Sequence, residues 1–359
     1  MIIFLFIAFF CLAVQSSFAL SNNIMSTTSP PKNKRQRTSL SLLSSNTLEK
    51  TCTLAERAAQ MNDRAKEGGV LTEEELNDVI RSIQNLNESI DGAKLRENLR
   101  EVAHLSHKDW SQTESNAERL GKILLPNGIS NCDSARKMLQ RILKEGKWDA
   151  AASHAAMTAN TAAPTGTYKP WAVLVTGVNG IRKTTSMHQP WFPALLREAL
   201  VAPSTTGASS PETKVEETLL PTGSNSFFRQ LDHIMATLCN EDFAMLYKLT
   251  AEQLTLDKNG FDTATADPPA ALIQQYSDLK AAIFTRYRTL SELLGACLLK
   301  EAIELKSNCL METSGRDVAM FHYVDHFFPS ASSYNKLALH FVINDLSQAQ
   351  TSVDQRMIR

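Results

Sequence analysis

Apolar residues recur at helical spacing through the first half of the chain. Thr72-Glu73-Glu74-Glu75 has the form of a capping box, and Leu76, Val79, Ile80 and Ile83 follow three and four apart. A helix with one apolar face is therefore expected to start there. Leu95, Leu99 and Val102 make a second stripe. Met138, Leu139, Ile142 and Leu143 make a third, with Asp133 or Ser134 placed to cap it. These stripes read as the inward faces of a small bundle over residues 50–150. Residues 151–168 lie in a stretch rich in Ala, Thr and Gly that reads as a linker.

The pattern changes after Lys169-Pro170. Trp171 to Thr176 is a short continuous apolar run closed by Gly177, as expected of a strand buried on both faces of a parallel sheet. Cys309 to Met311 and Leu337 to Ile343 are two more such runs. Helical patterns over Phe227 to Leu249 and Ala271 to Lys306 separate them, which implies βαβ units. Ala202 to Lys214 and Leu256 to Pro269 have the composition of loops.

The segment behind the first strand carries the chemistry. Gly177-Val178-Asn179-Gly180-Ile181-Arg182-Lys183-Thr184-Thr185 approaches the phosphate-binding form GxxxxGK[ST] and precedes a helical pattern through Pro193 to Leu200. Glycines let backbone N–H groups curl around phosphate oxygens, and a following helix adds positive potential. Lys183 is then the cation for the phosphates of ATP, and Thr184 is the hydroxyl for Mg²⁺. Arg182 stands where the second motif glycine belongs. Its side chain either obstructs the phosphate wrap and demands an unfavourable backbone angle, or adds a phosphate contact. The expected fold is thus an α/β P-loop kinase-like parallel sheet flanked by helices over 169–359, preceded by an all-α region.

Other polar groups are candidates by position. Glu312 and Arg316 fall just past the second strand run, where open parallel sheets bind ligands. Glu312 is placed to orient water on Mg²⁺ and Arg316 to touch a substrate phosphate, although a capped turn explains both equally well. His322, Tyr323, Asp325 and His326 suggest either a metal pair or a half-buried helix face. Glu101, His104 and His107 fit one helix face without a known metal signature.

Residues 1–48 read as a leader. Ile2 to Val14 is apolar and too short to span a bilayer, and no acidic residue precedes Glu49. Ser21 to Asn46 is hydroxylated and basic. The junction Gln15-Ser16-Ser17-Phe18-Ala19-Leu20 resembles the bipartite leaders of plastid proteins in algae with secondary plastids. Secretion, or a start at Met25 that leaves the basic run Lys32 to Arg37 as a nuclear signal, are the alternatives. A net charge of −1 gives no global field for nucleic acid or an anionic membrane. Six scattered cysteines without a CxxC pair argue against a disulfide scaffold.

From Lys169 onward the chain resembles the zeta-toxin-like P-loop kinases. The resemblance rests on the glycine loop, on Phe228-Arg229 placed like an acidic-x-x-Arg motif that opens a helix, on Glu312-Thr313, and on Ser352 to Arg356. It implies transfer of phosphoryl from ATP to a small hydroxyl-bearing substrate of the sugar-nucleotide class. Lys183 would hold phosphates, Thr184 the metal, Arg229 the substrate and Arg356 the transition-state charge. The acidic residue expected three before the arginine falls on Ser226, so Asp232 is the substitute base. A sheet of this kind carries one more strand after such a lid helix, so the domain reads as truncated or degenerate. A non-catalytic nucleotide-binding scaffold is therefore the rival function. The loop also resembles that of signal-recognition GTPases, but no Asn-Lys-x-Asp motif follows. No partner of the helical region is legible.

Overall fold

A computed structural model of the chain describes residues 2–9, 71–102, 110–162, 169–200, 219–256, 270–314, 318–331, 333–343 and 345–358. The first strand, β1, is Ile2–Phe9. Six helices follow: α1 Glu73–Leu86, α2 Gly92–Val102, α3 Trp110–Leu124, α4 Asp133–Met138, α5 Gln140–Glu145 and α6 Trp148–Ala162. The α/β part runs β2 Trp171–Thr176, α7 Lys183–Ser186, α8 Trp191–Leu200, β3 Ser226–Arg229, α9 Leu231–Leu238, α10 Asn240–Leu256 and α11 Ala270–Glu304. It continues with β4 Asn308–Glu312, α12 Ala319–Phe327, β5 Asn335–Ile343 and α13 Leu346–Ile358.

All pairings in the sheet are parallel, and the strand order is β1-β5-β2-β4-β3. Trp171–Thr176 is the six-residue run expected from the sequence, and it is buried throughout. Its residues alternate between two cores: Trp171, Val173 and Val175 face α8, while Ala172 and Leu174 face the other side. The connection from β2 leaves over the α8 face, whereas those from β3 and β4 cross the opposite one. The crevice between β2 and β4 is thus the topological switch point, where ligands of open α/β sheets bind.

The α1 capping box forms as expected: the Thr72 backbone N–H donates to Glu75 Oε2 at 2.8 Å, and Glu75 N–H donates to Thr72 Oγ1 at 3.3 Å. Leu76, Val79, Ile80, Ile83, Leu95, Leu99 and Val102 are buried. They do not close a separate bundle, however. Their cluster continues through Tyr287, Leu290, Leu294 and Leu298 of α11 into Ala172, Leu174, Phe227 and Met311 of the sheet. Polar contacts fasten the same junction: Tyr287 donates its OH to Ser82 at 3.0 Å, and Trp110 Nε1–H donates to Ala319 O at 3.0 Å. The helical region is therefore the cover of one sheet face.

Four local expectations need correction. Residues 151–162 belong to α6, because an Ala-rich segment favours helix over linker. The third stripe is split at Leu139 into α4 and α5, and Cys132, without a side-chain capping bond, takes the N-cap position expected for Asp133 or Ser134. Phe227 to Arg229 belongs to a strand and not to the head of a helix. Ile2–Phe9, expected to stay outside the fold, pairs with β5 from Ile2 opposite Lys336 to Phe9 opposite Ile343, so an apolar octet satisfies the open edge of β5. The loops at 202–214 and 257–269 and the leader beyond residue 9 lie outside the described residues.

Among the described residues no helix is long and apolar enough to cross a membrane, and no cluster of His, Cys, Asp or Glu has metal-binding form. Cys132, Cys239, Cys297 and Cys309 are all free thiols. Burial pushes the thiols of Cys239 and Cys297 up to about 12, as expected of inert core cysteines.

Candidate functional site

The glycine loop leaves the C-terminal end of β2 and folds back on itself. Gly177 takes φ +141°, and a Cβ there would sit 2.6 Å from Phe341 O. Gly180 takes φ +92°, and its Cβ would sit 2.3 Å from Ala349 O. The loop is therefore clasped between β5 and α13, with Ile181 and Ala349 buried in one apolar cluster. Only residues without a side chain fit these two points.

Arg182 resolves the conformational question that the sequence raised. It adopts the left-handed conformation, φ 59° and ψ 34°, with its side chain exposed, and its carbonyl accepts the Ser186 N–H at 3.0 Å. The loop thus keeps a glycine-type backbone at a residue that pays about 1–2 kcal/mol for it. Arg182→Gly should raise stability by about 0.5–1 kcal/mol, the relief of strain less the added chain entropy. Thermal unfolding checks this, and an unchanged or lower midpoint would contradict it.

Lys183 and Thr184 converge on Glu312 from across the switch point. The Lys183 ammonium is buried and donates to Gly177 O at 2.7 Å and Val178 O at 3.1 Å. It also lies 3.4 Å from Glu312 Oε1. Thr184 Oγ1 donates to Glu312 Oε2 at 2.7 Å. Glu312 itself is half-buried at the end of β4, and the Thr313 N–H extends the ladder to Val175 O at 2.9 Å. Three residues, at most 129 positions apart in the chain, form one contact group with hard oxygens and a buried cation. An ammonium and two oxygen donors make a set that fits a phosphate bound with Mg²⁺.

α7 has only four residues. The chain turns through Met187 to Pro190 before α8 begins at Trp191, because Pro190 lacks an N–H and constrains Gln189. Here the single helix expected after the loop is broken in two.

Other candidates separate in space. Arg229, assigned to substrate by resemblance, is buried at the end of β3 and bonds Glu292 Oε2 at 2.6 Å. Its guanidinium lies 4.8 Å from the Tyr323 ring centroid. It is thus a core cation and not an open substrate contact. Ser226 is buried at the opposite end of the same strand, roughly 10 Å away along the backbone. A residue there cannot reach the loop. Asp232 is exposed in the first turn of α9, on the loop edge of the sheet, with no ion pair among the described residues. His233, beside it, escaped sequence reasoning. Burial holds its imidazole below the usual range, while the charges of Glu145, Asp232 and Glu312 pull it back up and that of Arg141 opposes them. Its only sequence signal was a titratable residue directly behind a strand end.

The α12 residues follow the structural alternative. His326 bonds Glu114 at 2.7 Å and Asp325 accepts from Lys336 at 2.6 Å, so they tie α12 to α3 and β5. Arg316, His104 and His107 lie outside the described residues, whereas Glu101 pairs with Arg119 at 2.5 Å. Arg356 lies two turns beyond Ala349 along α13, and its side chain is outside the described residues. Comparison with protein-family models, with curated proteins and with solved structures finds no match for this chain.

Proposed function

We propose that the chain binds Mg-ATP on the loop Gly177 to Thr185 and transfers its terminal phosphoryl group to a small hydroxyl-bearing metabolite. The observation that carries the reading is the convergence of Lys183, Thr184 and Glu312 at the switch point of a parallel sheet. The strand order β3-β4-β2-β5, with the loop after the central β2, supports a P-loop kinase-like arrangement. β1 extends this sheet beside β5.

Each residue has a physical task. Lys183 is buried and held by two loop carbonyls, so its charge is fixed before a phosphate arrives and little reorganisation is needed. Thr184 and Glu312 offer oxygens to the metal or its water, and Glu312 balances Lys183. Bound Mg²⁺ supplies neutralisation of the phosphate charge. Asp232 stands at the same edge as the acceptor's base, and Arg356 on α13 is the candidate for charge developing on the moving phosphoryl. The sugar-nucleotide class of acceptor rests on the resemblance alone.

The test is label transfer from γ-labelled ATP to a panel of sugar nucleotides and phosphorylated sugars, using the full chain. Wild type should label at least one acceptor, with Glu312→Gln slower by roughly 100-fold or more, as expected when a fixed charge at a reacting site is removed. ATP that binds but is never turned over with any acceptor would select the non-catalytic sensor instead.

A further inference from the structure

An open cleft of about 620 Å³ lies along the surface of α4, α5 and α6, and most of its lining side chains are exposed. Arg136, Lys137, Lys144 and Lys147 line it, together with Gln140 and a single carboxylate, Asp149. That carboxylate is already engaged, since Arg136 Nη2 bonds Asp149 Oδ1 at 2.7 Å. Lys137, Lys144 and Lys147 have no ion pair among the described residues. The chain as a whole has a net charge of −1, so this concentration of cations is local.

The cleft is joined to the sheet edge that bears the glycine loop. Gly146, between α5 and α6, accepts the Phe228 N–H at 2.8 Å. A Cβ on Gly146 would strike Ile142 O, the Phe227 ring and Phe228 O, and the next residue, Lys147, takes a left-handed turn at φ 57°. Lys147 is close enough to His188, just past α7, that its charge joins burial in lowering that imidazole's proton affinity. His188 in turn packs on Gly223.

We propose that this cleft is a second anion site, one that takes a small molecule bearing at least two phosphate groups. Gathered cations repel one another, and an anion that bridges them removes that cost. One phosphate reaches only part of a space this large, whereas linked phosphates span several of the cations. The site lies in the helical cover, outside the phosphate loop, and does not depend on the ATP reading.

Pyrophosphate titrated calorimetrically into the full chain at low salt tests the proposal. Lys183→Ala serves as background, because pyrophosphate also suits the glycine loop. That protein should still bind pyrophosphate, and added salt should weaken the binding. Adding Lys144→Ala and Lys147→Ala should lower the affinity roughly tenfold or more, since each loses a charge-assisted bond. In the wild-type background the same lysine pair should leave Mg-ATP affinity within about twofold, as expected for separate sites. Both lysines are exposed, so the variants should fold, and circular dichroism confirms it. Folded Lys183→Ala protein that binds no pyrophosphate, or binding indifferent to the two lysines, would overturn the proposal. So would binding that requires an oligonucleotide and fails with pyrophosphate.

Discussion

Arg229→Ala should destabilise the protein by about 3–5 kcal/mol, the usual cost of stranding one half of a buried ion pair. Arg229 and Glu292 are both buried, 2.6 Å apart, and Glu292 also receives Arg288 at 2.8 Å. Arg229 further lies against the Tyr323 ring, and Gly295 makes the room, since a Cβ there would fall 2.7 Å from Arg229 Nε. Lysine keeps the charge but not the planar fork or the stacking, so Arg229→Lys should lose an intermediate amount. Replacing both partners, as in Arg229→Met with Glu292→Leu, should recover much of the loss. Urea denaturation measures all three. An Arg229→Ala protein as stable as wild type, weakened only in binding an acceptor, would restore the substrate role that the family resemblance implies.

Gly180→Ala comes second, with an expected cost of about 2–4 kcal/mol from a left-handed alanine and an overpacked contact. The new Cβ would lie 2.3 Å from Ala349 O, which is backbone and cannot swing aside. Either the loop opens or α13 lifts away. In both cases nucleotide affinity should fall along with stability, because the loop wrap and the helix carrying Arg356 depend on the same contact. Unfolding and nucleotide titration of this variant should therefore move together. A stable Gly180→Ala protein would mean that α13 does not rest on the loop.

Much of the fold was legible because its signals are local. The β2 run and the capping box at Thr72 depend on neighbouring residues, and both formed where the pattern put them. The Lys183–Thr184–Glu312 group was legible for a related reason: a glycine loop behind one strand and a polar residue at the neighbouring strand's end meet by topology alone. What escaped was set by tertiary context. Phe227 and Phe228 resemble a helix start, but each buries its side chain on a different face of the sheet, which only a strand permits. The arginine beside them looked functional because charge in a short motif suggests a ligand, while its partner Glu292 lies 63 residues away. The N-terminal helices looked like a bundle because amphipathic stripes do not reveal what they cover. Tyr287, Leu290 and Leu294, far along the chain, complete their core.

The most direct measurement is the calorimetric affinity of the full chain for Mg-ATP, with wild type beside Lys183→Ala. Millimolar or tighter binding by wild type, lost in a folded Lys183→Ala protein, is the predicted result, since the buried ammonium is the loop's one fixed charge for phosphate. Equal binding by both proteins, or none by a folded wild type, would contradict the assignment of Gly177 to Thr185 as a nucleotide site.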